Sequence, residues 1–163
     1  MAQNKGDIKI RRMVEGDLPK INDIDRSLFE QGRATTWPFS FEAYFRVYRP
    51  KLNFVAELGG EVVGFLMGTI EEEERSRSIF TRVYRAGVPS RGRQIGWIDM
   101  IGISKDYWHM GIGRSLVEAF YKECQRNKAM VRISIRDNDK ELRSFLVTLG
   151  FRKREITTYE KES

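Results

Sequence analysis

The arrangement of apolar and polar positions is most regular between Ile95 and Asn127. Residues 95–104 form a mostly apolar run that is typical of a strand. Beyond a short loop, apolar side chains recur at steps of three and four residues, and mostly polar or charged residues lie between them. The apolar positions are Ile112, Leu116, Val117, Phe120, Tyr121 and Cys124. The pattern predicts a strand, a loop and an amphipathic helix with one buried face.

The chain before this stretch predicts one strand and two helices. Alternation over residues 8–14 predicts a strand with one solvated face. We expect Asp17 to cap a helix with an apolar stripe at Leu18, Ile21, Ile24 and Leu28. Ser40 is expected to cap a second helix, whose stripe is Phe41, Tyr44, Phe45 and Tyr48 and which ends at Pro50.

Two further strands, over residues 53–58 and 61–70, are joined by Gly59-Gly60, a link typical of a tight hairpin. The next segment, residues 71–94, holds four consecutive glutamates and then six arginines. Such blocks of like charge predict a solvated, mobile loop. The alternative is that Phe80, Val83 and Tyr84 extend the hairpin over the active site or a subunit contact.

After the central helix, residues 131–135 predict a short strand, and the polar turn 137–139 is able to cap another helix. The stripe of that helix is Leu142, Phe145, Leu146 and Leu149, and Gly150 suits the position just beyond its end. A last strand is expected from Phe151 towards Tyr159. The predicted order is β-α-α-β-β-β-α-β-α-β.

Composition narrows the class of protein. A chain of 163 residues suits one domain over 1–163. One cysteine and one histidine exclude an intrachain disulfide and the usual His/Cys metal cluster, so we expect no metal. The N-terminus lacks an apolar run, and we expect a soluble protein of the reducing cytoplasm. The net charge of +6 favours polyanionic partners, of which coenzyme A and nucleic acid are two.

The start of the central helix has the features of an anion site. The first N–H groups of a helix have no acceptor inside it, and the helix dipole adds partial positive charge there. Glycine at 111 and 113 removes Cβ atoms that would hold a ligand away and permits unusual backbone angles. Arg114 adds a full positive charge. A glycine pair before an ordinary helix is the alternative.

The window Trp108-His109-Met110-Gly111-Ile112-Gly113, with Leu116 following, resembles motif A of the GNAT superfamily of N-acetyltransferases, Arg/Gln-x-x-Gly-x-Gly/Ala. Residues 145–151, FLVTLGF, resemble the closing helix and Leu-Gly-Phe ending of that family. The resemblance implies an α/β (α+β) fold: a mixed, mostly antiparallel sheet flanked by helices on both faces. It also implies acetyl-CoA as cosubstrate.

By position, the resemblance places the pyrophosphate of acetyl-CoA on the main chain of the Gly-rich loop: His109, Met110, Gly111, Ile112, Gly113 and Arg114. It places the pantetheine arm against main-chain groups of Ile101 and Ile103. Asn138 lies one residue from a cofactor-contacting asparagine of the family, and Asp139 occupies the matching slot. Trp108 departs from the family's Arg or Gln, and either packs on the cofactor or anchors the loop.

Acetyl transfer from a thioester to an amine needs a base for the attacking amine and a proton donor for the departing thiolate. The family often uses a tyrosine where this chain has Leu146, and one branch uses a glutamate where it has Ser134. We expect Asp99, an acid within an apolar strand, to be the base; the alternative is an Asp hydrogen-bonded to a neighbouring strand or to an arginine of 71–94. Tyr107 is the expected proton donor, and a structural packing role is the alternative for it. Tyr159 is a weaker candidate.

The resemblance places the acceptor amine near Phe29, Glu30, Trp37 and Phe39, although loop aromatics are as often minor-core packing. The leading function is an N-acetyltransferase acting on a small amine or a protein amino group. The alternative is a catalytically weak acyl-CoA-binding regulatory domain. A nucleic-acid module ranks last, because no basic helix or aromatic-basic strand motif is present. The final strand or the arginine-rich loop suggests a possible homodimer.

Overall fold

A computed structural model describes residues 7–29, 40–48, 52–73, 93–136 and 138–154. The strands within these ranges are β1 (Lys9–Arg12), β2 (Phe54–Leu58), β3 (Glu61–Glu73), β4 (Arg93–Ile103) and β5 (Met130–Ile133). The α-helices are α1 (Leu18–Phe29), α2 (Phe41–Tyr48), α3 (Ile112–Arg126) and α4 (Lys140–Thr148). No helix of the described ranges is long and apolar enough to cross a membrane.

The strands form one sheet in the order β1-β2-β3-β4-β5. Neighbouring strands run antiparallel except β5, which lies parallel to β4. The parallel pair is connected through α3, as a crossover between parallel strands requires. The predicted mixed, mostly antiparallel sheet is confirmed.

Helices cover both faces of the sheet, because side chains alternate between faces along each strand. α1 and α2 pack on one face, here called the α1/α2 face, in a cluster that includes Ile21, Leu28, Tyr44, Val55 and Phe65. α3 packs on the opposite face, the α3 face, in a cluster that includes Ala56, Leu66, Leu116, Phe120 and Cys124. Phe145 of α4 and Leu149, directly after that helix, pack against it. Burial raises the pKa of the Cys124 thiol to about 12, so this residue serves as an apolar filler.

The hairpin predicted at Gly59-Gly60 is confirmed. Leu58 pairs with Glu61, and the two glycines have φ of +59° and +88°. Positive φ at both central residues is what a two-residue hairpin with the right-handed strand twist requires.

The predicted loop over 71–94 is shorter than expected at both ends. β3 continues to Glu73 and β4 begins at Arg93, with Glu71 opposite Ile95 and Glu73 opposite Arg93. The charge blocks therefore include residues that extend the hairpin ladder. Residues 74–92, with Phe80, Val83 and Tyr84, lie outside the described residues.

Asp17 does not cap α1 as expected. It lies in a 3₁₀ turn, Glu15–Asp17, that runs into α1, and its carboxylate accepts the Val14 N–H at 2.9 Å. Both carboxylate oxygens also accept from Arg11, at 2.7 and 2.8 Å. The carboxylate thus satisfies the helix start from within the first turn and ties it to β1. Ser40 does cap α2, accepting the Ala43 N–H at 3.2 Å.

The end of α4 follows its prediction, and the strand beyond does not. Asp139 caps α4 by accepting the Leu142 N–H at 2.9 Å. Gly150 has φ of +84°, and the N–H groups of Gly150 and Phe151 bond to the carbonyls of Val147 and Leu146, a Schellman end. Residues 151–154 form no strand, and the rest of the predicted strand lies outside the described residues.

Candidate active site

The C-terminal half of β4 has an open edge. β4 pairs with β5 only from Ile95 to Ile98, whereas its pairing with β3 continues to Ile103. Within the described ranges, no strand covers the β5 side of residues 99–103. Backbone groups on this edge are therefore not paired with another strand of the described ranges.

Ile101 and Ile103 direct their main-chain groups towards that edge. The Ser104 N–H bonds to the Val63 carbonyl of β3 at 2.9 Å, so Ser104 is a hydrogen-bonded position of the ladder. Positions alternate along an antiparallel pair, and the register places Ile103 opposite Gly64 and Ile101 opposite Leu66. Ile101 and Ile103 therefore fall at the intervening positions, whose N–H and C=O groups point away from β3.

The start of α3 offers free amides. Gly111 is the N-cap, with φ of +81° and no side chain to accept from the first turn. The Ser115 N–H makes the first bond back, to the Gly111 carbonyl at 3.1 Å. The N–H groups of Ile112, Gly113 and Arg114 precede that bond, so no carbonyl inside the helix accepts from them. This end of α3 can hold an anion.

The two glycines of the loop have different roles. Gly111 is exposed, and a Cβ there would meet nothing within 4 Å, so its left-handed backbone is what requires glycine. Gly113 is buried, and a Cβ there would lie 2.9 Å from Phe145 Cζ and 3.0 Å from Ile103 Cδ1. The expectation that both glycines open the amides to a ligand is corrected: Gly113 makes room for α4.

The side chains around these amides are mostly exposed. His109 is exposed and has φ of +62°. Arg114 is exposed, with Nη2 3.5 Å from the Thr148 carbonyl and Nη1 4.0 Å from Glu118. Met110 packs partly buried against the α3 face. Within the described ranges, the basic side chain of Arg114 therefore stands beside these amides with no acidic partner closer than Glu118 at 4.0 Å.

The polar turn before α4 holds the two residues proposed there to contact the cofactor, Asn138 and Asp139, and their side chains differ in environment. Asp139 caps α4, as described above, whereas Asn138 is exposed. Asn138 is thus the one with its side chain at the surface, and a cofactor contact by it stays a prediction.

Asp99 is the extra residue of a β-bulge. Met67 pairs with Met100 and Gly68 pairs with Ile98, which leaves Asp99 without a partner on β3. Bulges redirect side chains and are common beside active sites. Here the carboxylate is directed to the α1/α2 face, where it meets Tyr44.

Two hydroxyl groups donate to the same carboxylate oxygen of Asp99. The Tyr44 hydroxyl lies 2.5 Å from Oδ2, and the Thr69 hydroxyl lies 3.4 Å from it. Tyr44 is 1% exposed and Thr69 is 7% exposed, so both donors are fixed by packing. Among the described residues no hydrogen bond reaches Oδ1.

Burial raises the pKa of Asp99 above that of an ordinary aspartate. The hydrogen bonds from Tyr44 and Thr69 oppose this effect, and the negative charge of Glu71 adds to it. A carboxylate with a raised pKa is a stronger base, which suits proton abstraction near neutral pH. The sequence also allows Asp99 to serve a structural role through a hydrogen bond to a neighbouring strand. The bond from Thr69 of β3 is such a contact.

The structure does not bring Tyr107 to Asp99. Tyr107 ends a 3₁₀ turn, Lys105–Tyr107, and its ring packs against the α3 face, whereas Asp99 contacts Tyr44 on the α1/α2 face. Leu146, at the tyrosine position of the family, is 6% exposed and packed in the core. Ser134 is exposed.

Sequence reasoning missed Tyr44 and Thr69 as partners of Asp99. The prediction that Tyr44 lies in the buried stripe of α2 is confirmed. A buried phenol also needs a hydrogen-bond partner. That need was the available signal, and the partner itself lies 55 positions away along the chain. Of the residues predicted near the acceptor amine, Phe29 is the last residue of α1, and the structure does not describe its side chain. The other three, Glu30, Trp37 and Phe39, lie outside the described residues, and so does Tyr159.

The chain is similar to known proteins in sequence and in fold. The model of the Acetyltransferase (GNAT) family matches residues 18–151. An uncharacterised N-acetyltransferase of Methanocaldococcus jannaschii is 24% identical over 149 residues, which are 90% of this chain and 80% of that protein.

Solved structures with the same fold include two N-acetyltransferases. A ribosomal-protein-alanine N-acetyltransferase from Brucella melitensis biovar Abortus 2308 has a TM-score of 0.66 and 15% identity, over 96% of this chain and 99% of its own. An aminoglycoside N-acetyltransferase in complex with CoA has a TM-score of 0.65 and 14% identity, over 95% of this chain and 100% of its own.

Proposed function

The chain belongs to the GNAT family of acetyltransferases, and we propose that it transfers an acetyl group from acetyl-CoA to a primary amine. Membership confirms the resemblance drawn from the 108–113 window and the Leu149-Gly150-Phe151 ending. The acceptor is a small molecule or a protein amino group. The named substrates of the two structural neighbours, aminoglycosides and a ribosomal protein, support these two classes equally. A cytoplasmic location and a homodimer stay predictions of the sequence.

In this proposal the main-chain amides of residues 110–114 hold the pyrophosphate, with Arg114 adding charge. The pantetheine arm pairs with the open edge of β4 at Ile101 and Ile103. The single observation that carries the proposal is that this edge leads from the amides of α3 to the bulge at Asp99. A thioester at the end of the arm would lie beside a carboxylate with a raised pKa.

The reaction follows from that arrangement. The amine nitrogen attacks the thioester carbonyl carbon, and the carbon–sulfur bond breaks as the amide bond forms. Asp99 accepts the proton that the amine loses, through Oδ1. The departing thiolate takes a proton, for which Tyr107 stays the predicted donor. Placing amine and thioester together supplies much of the remaining acceleration.

The test is thiol release from acetyl-CoA in the presence of a panel of amines, including an aminoglycoside and a peptide with an N-terminal alanine. We expect at least one amine to accelerate release. Asp99→Asn should lower kcat about 100-fold or more, because general-base catalysis contributes about that factor. Its affinity for CoA should be unchanged. Asp23→Asn, an exposed carboxylate of α1, is the matched control and should leave both unchanged.

A second candidate is an acyl-CoA-binding regulatory domain without turnover. The observation that favours it is the burial of Leu146 where the family often has a proton-donating tyrosine. CoA binding with no amine-dependent thiol release would establish this candidate and overturn the enzyme. Amine-dependent release that Asp99→Asn leaves intact would overturn the role of Asp99 alone.

A further inference from the structure

Trp108 combines a hydrogen bond with the packing of a large apolar ring. Its indole Nε1–H donates to the Ile103 carbonyl at 2.8 Å. Its ring is partly buried against the cluster of the α1/α2 face. An indole joins a large apolar surface to one fixed donor, so it can anchor a loop by both.

The loop after β4 is held from both faces of the sheet. Trp108 packs on the α1/α2 face and Met110 packs on the α3 face. The chain therefore crosses the end of β4 with one anchored side chain on either side of His109. Since Met110 directly precedes Gly111, these anchors set where the free amides of α3 begin.

The backbone between the anchors needs support. His109 has φ of +62° and Gly111 has φ of +81°. A left-handed backbone at a residue other than glycine persists only where surrounding contacts hold it. The Trp108 indole and its packing supply such contacts at the residue directly before His109.

The Ile103 carbonyl is part of the open edge proposed for the pantetheine arm. The indole N–H occupies one of its two acceptor positions. The arm keeps the second acceptor position, the Ile103 N–H and the main-chain groups of Ile101. Loss of the indole donor would therefore leave the partners of the arm in place and would act on the amides of residues 110–114.

We propose that Trp108 is the positioning residue of the cofactor loop, which holds the amides of residues 110–114 in their binding geometry through its bond to the Ile103 carbonyl. This inference rests on the proposed function, because the ligand of those amides is the pyrophosphate of acetyl-CoA. Trp108 acts through the backbone and does not take part in the chemistry.

The test compares CoA with pantetheine, which lacks every phosphate. Trp108→Phe keeps an aromatic ring and removes the donor. Binding of both ligands is measured by titration on the full chain. We expect affinity for CoA to fall about three- to tenfold, the equivalent of one hydrogen bond, and affinity for pantetheine to change by less than about twofold. Trp97→Phe, at the other tryptophan of the described residues, is the matched control and should leave both affinities unchanged.

Other outcomes separate this inference from the proposed function. Wild-type protein that does not prefer CoA to pantetheine would overturn the pyrophosphate site, and with it the proposed function. A wild-type preference that Trp108→Phe retains would overturn the positioning role alone. An equal loss for both ligands, together with a lower melting temperature, would make Trp108 a packing residue and also overturn the role.

A measurement on the wild-type protein decides the matter if the variant does not fold. The indole N–H of Trp108, observed by NMR on ¹⁵N-labelled protein, should exchange slowly with solvent because it is bonded to the Ile103 carbonyl. Exchange as fast as that of a free indole would contradict the proposal.

Discussion

At the scale of single residues, a bulge and two hydroxyls shape the surroundings of Asp99, the proposed base. The bulge removes Asp99 from the β3 ladder, and Tyr44 and Thr69 then hold one oxygen of its carboxylate. Burial raises the pKa while these donors lower it. The balance of the two effects sets the pH at which Asp99 becomes able to accept a proton.

Tyr44→Phe tests that balance. Removing the hydroxyl removes a hydrogen bond that lowers the pKa of Asp99, so the pKa should rise further. Because the base must be deprotonated, the acidic limb of the kcat/KM profile should move to higher pH. The profile is measured with the best amine of the panel. Tyr121→Phe, an exposed tyrosine of α3 at 49% exposure, is the control and should leave the limb in place. An unmoved or more acidic limb in Tyr44→Phe would show that Asp99 does not govern the profile.

At the scale of elements, two connections fix how the helices meet the sheet. The carboxylate of Asp17 joins the start of α1 to Arg11 of β1, and Glu57 of β2 accepts from the same guanidinium at 2.8 Å. Glycines in β3 and β4 let α3 approach the sheet closely. Each connection predicts a change in the free energy of unfolding.

Arg11→Met should destabilise the protein by about 3 kcal/mol, because it leaves Asp17, which is 7% exposed, as an unpaired buried carboxylate. Burial raises the pKa of Asp17, but hydrogen bonds from Arg11 and the Val14 N–H outweigh it, so the net pKa is lowered. A lowered pKa means that the carboxylate stabilises the fold above the unfolded pKa of about 3.9. That contribution is lost as the pH falls through the folded pKa.

The difference between wild type and Arg11→Met should therefore be largest near neutral pH and should shrink in acid, as measured by urea unfolding. Arg26→Met, at an exposed arginine 3.9 Å from Asp23, should change stability by less than about 0.5 kcal/mol. A difference that stays constant down to strong acid would show that the pair with Asp17 is not its source.

Gly68→Ala tests the approach of α3. A Cβ at Gly68 would overlap the main-chain oxygen of Trp97 and lie 2.5 Å from Phe120 Cε2. Neither the backbone nor a fully buried ring can move freely, so we expect a loss of about 1–3 kcal/mol in urea unfolding. Gly16→Ala, where nothing lies within 4 Å of the added atom, is the matched control. Equal stability of the two variants would contradict the packing described here.

Local signals explain which elements the sequence predicts well. Gly59, Gly60 and Gly150 occupy positive φ, a backbone region that favours glycine. The stripes of α1, α2 and α3 are long enough to identify the helices, although Tyr121, predicted in the buried stripe of α3, is exposed. Asp17 was misassigned because its partner Arg11 lies on a strand, and capping rules consider only the helix. The bulge at Asp99 has no local signal at all, since it arises from the register between β3 and β4.

At the scale of the whole molecule, the sheet and the charge favour the same ligand. β4 separates from β5 after Ile98 and so exposes an edge that ends at the free amides of α3. The net charge of +6 attracts polyanions over long range, which favours encounter with a coenzyme that carries three phosphate groups. The separation of the strands could not be predicted from residues alone, because it depends on where β5 ends. The amides at the start of α3 could be predicted, because glycines before an apolar stripe indicate a helix N-terminus without a side-chain cap.

The most direct test of the account is a titration of ¹⁵N-labelled protein with acetyl-CoA, followed through the backbone amide signals. The account predicts the largest shifts at residues 110–114, together with shifts at Ile101 and Ile103, because their N–H groups would bond to the pyrophosphate and the arm. Saturable binding that leaves the signals of residues 110–114 unmoved would contradict it.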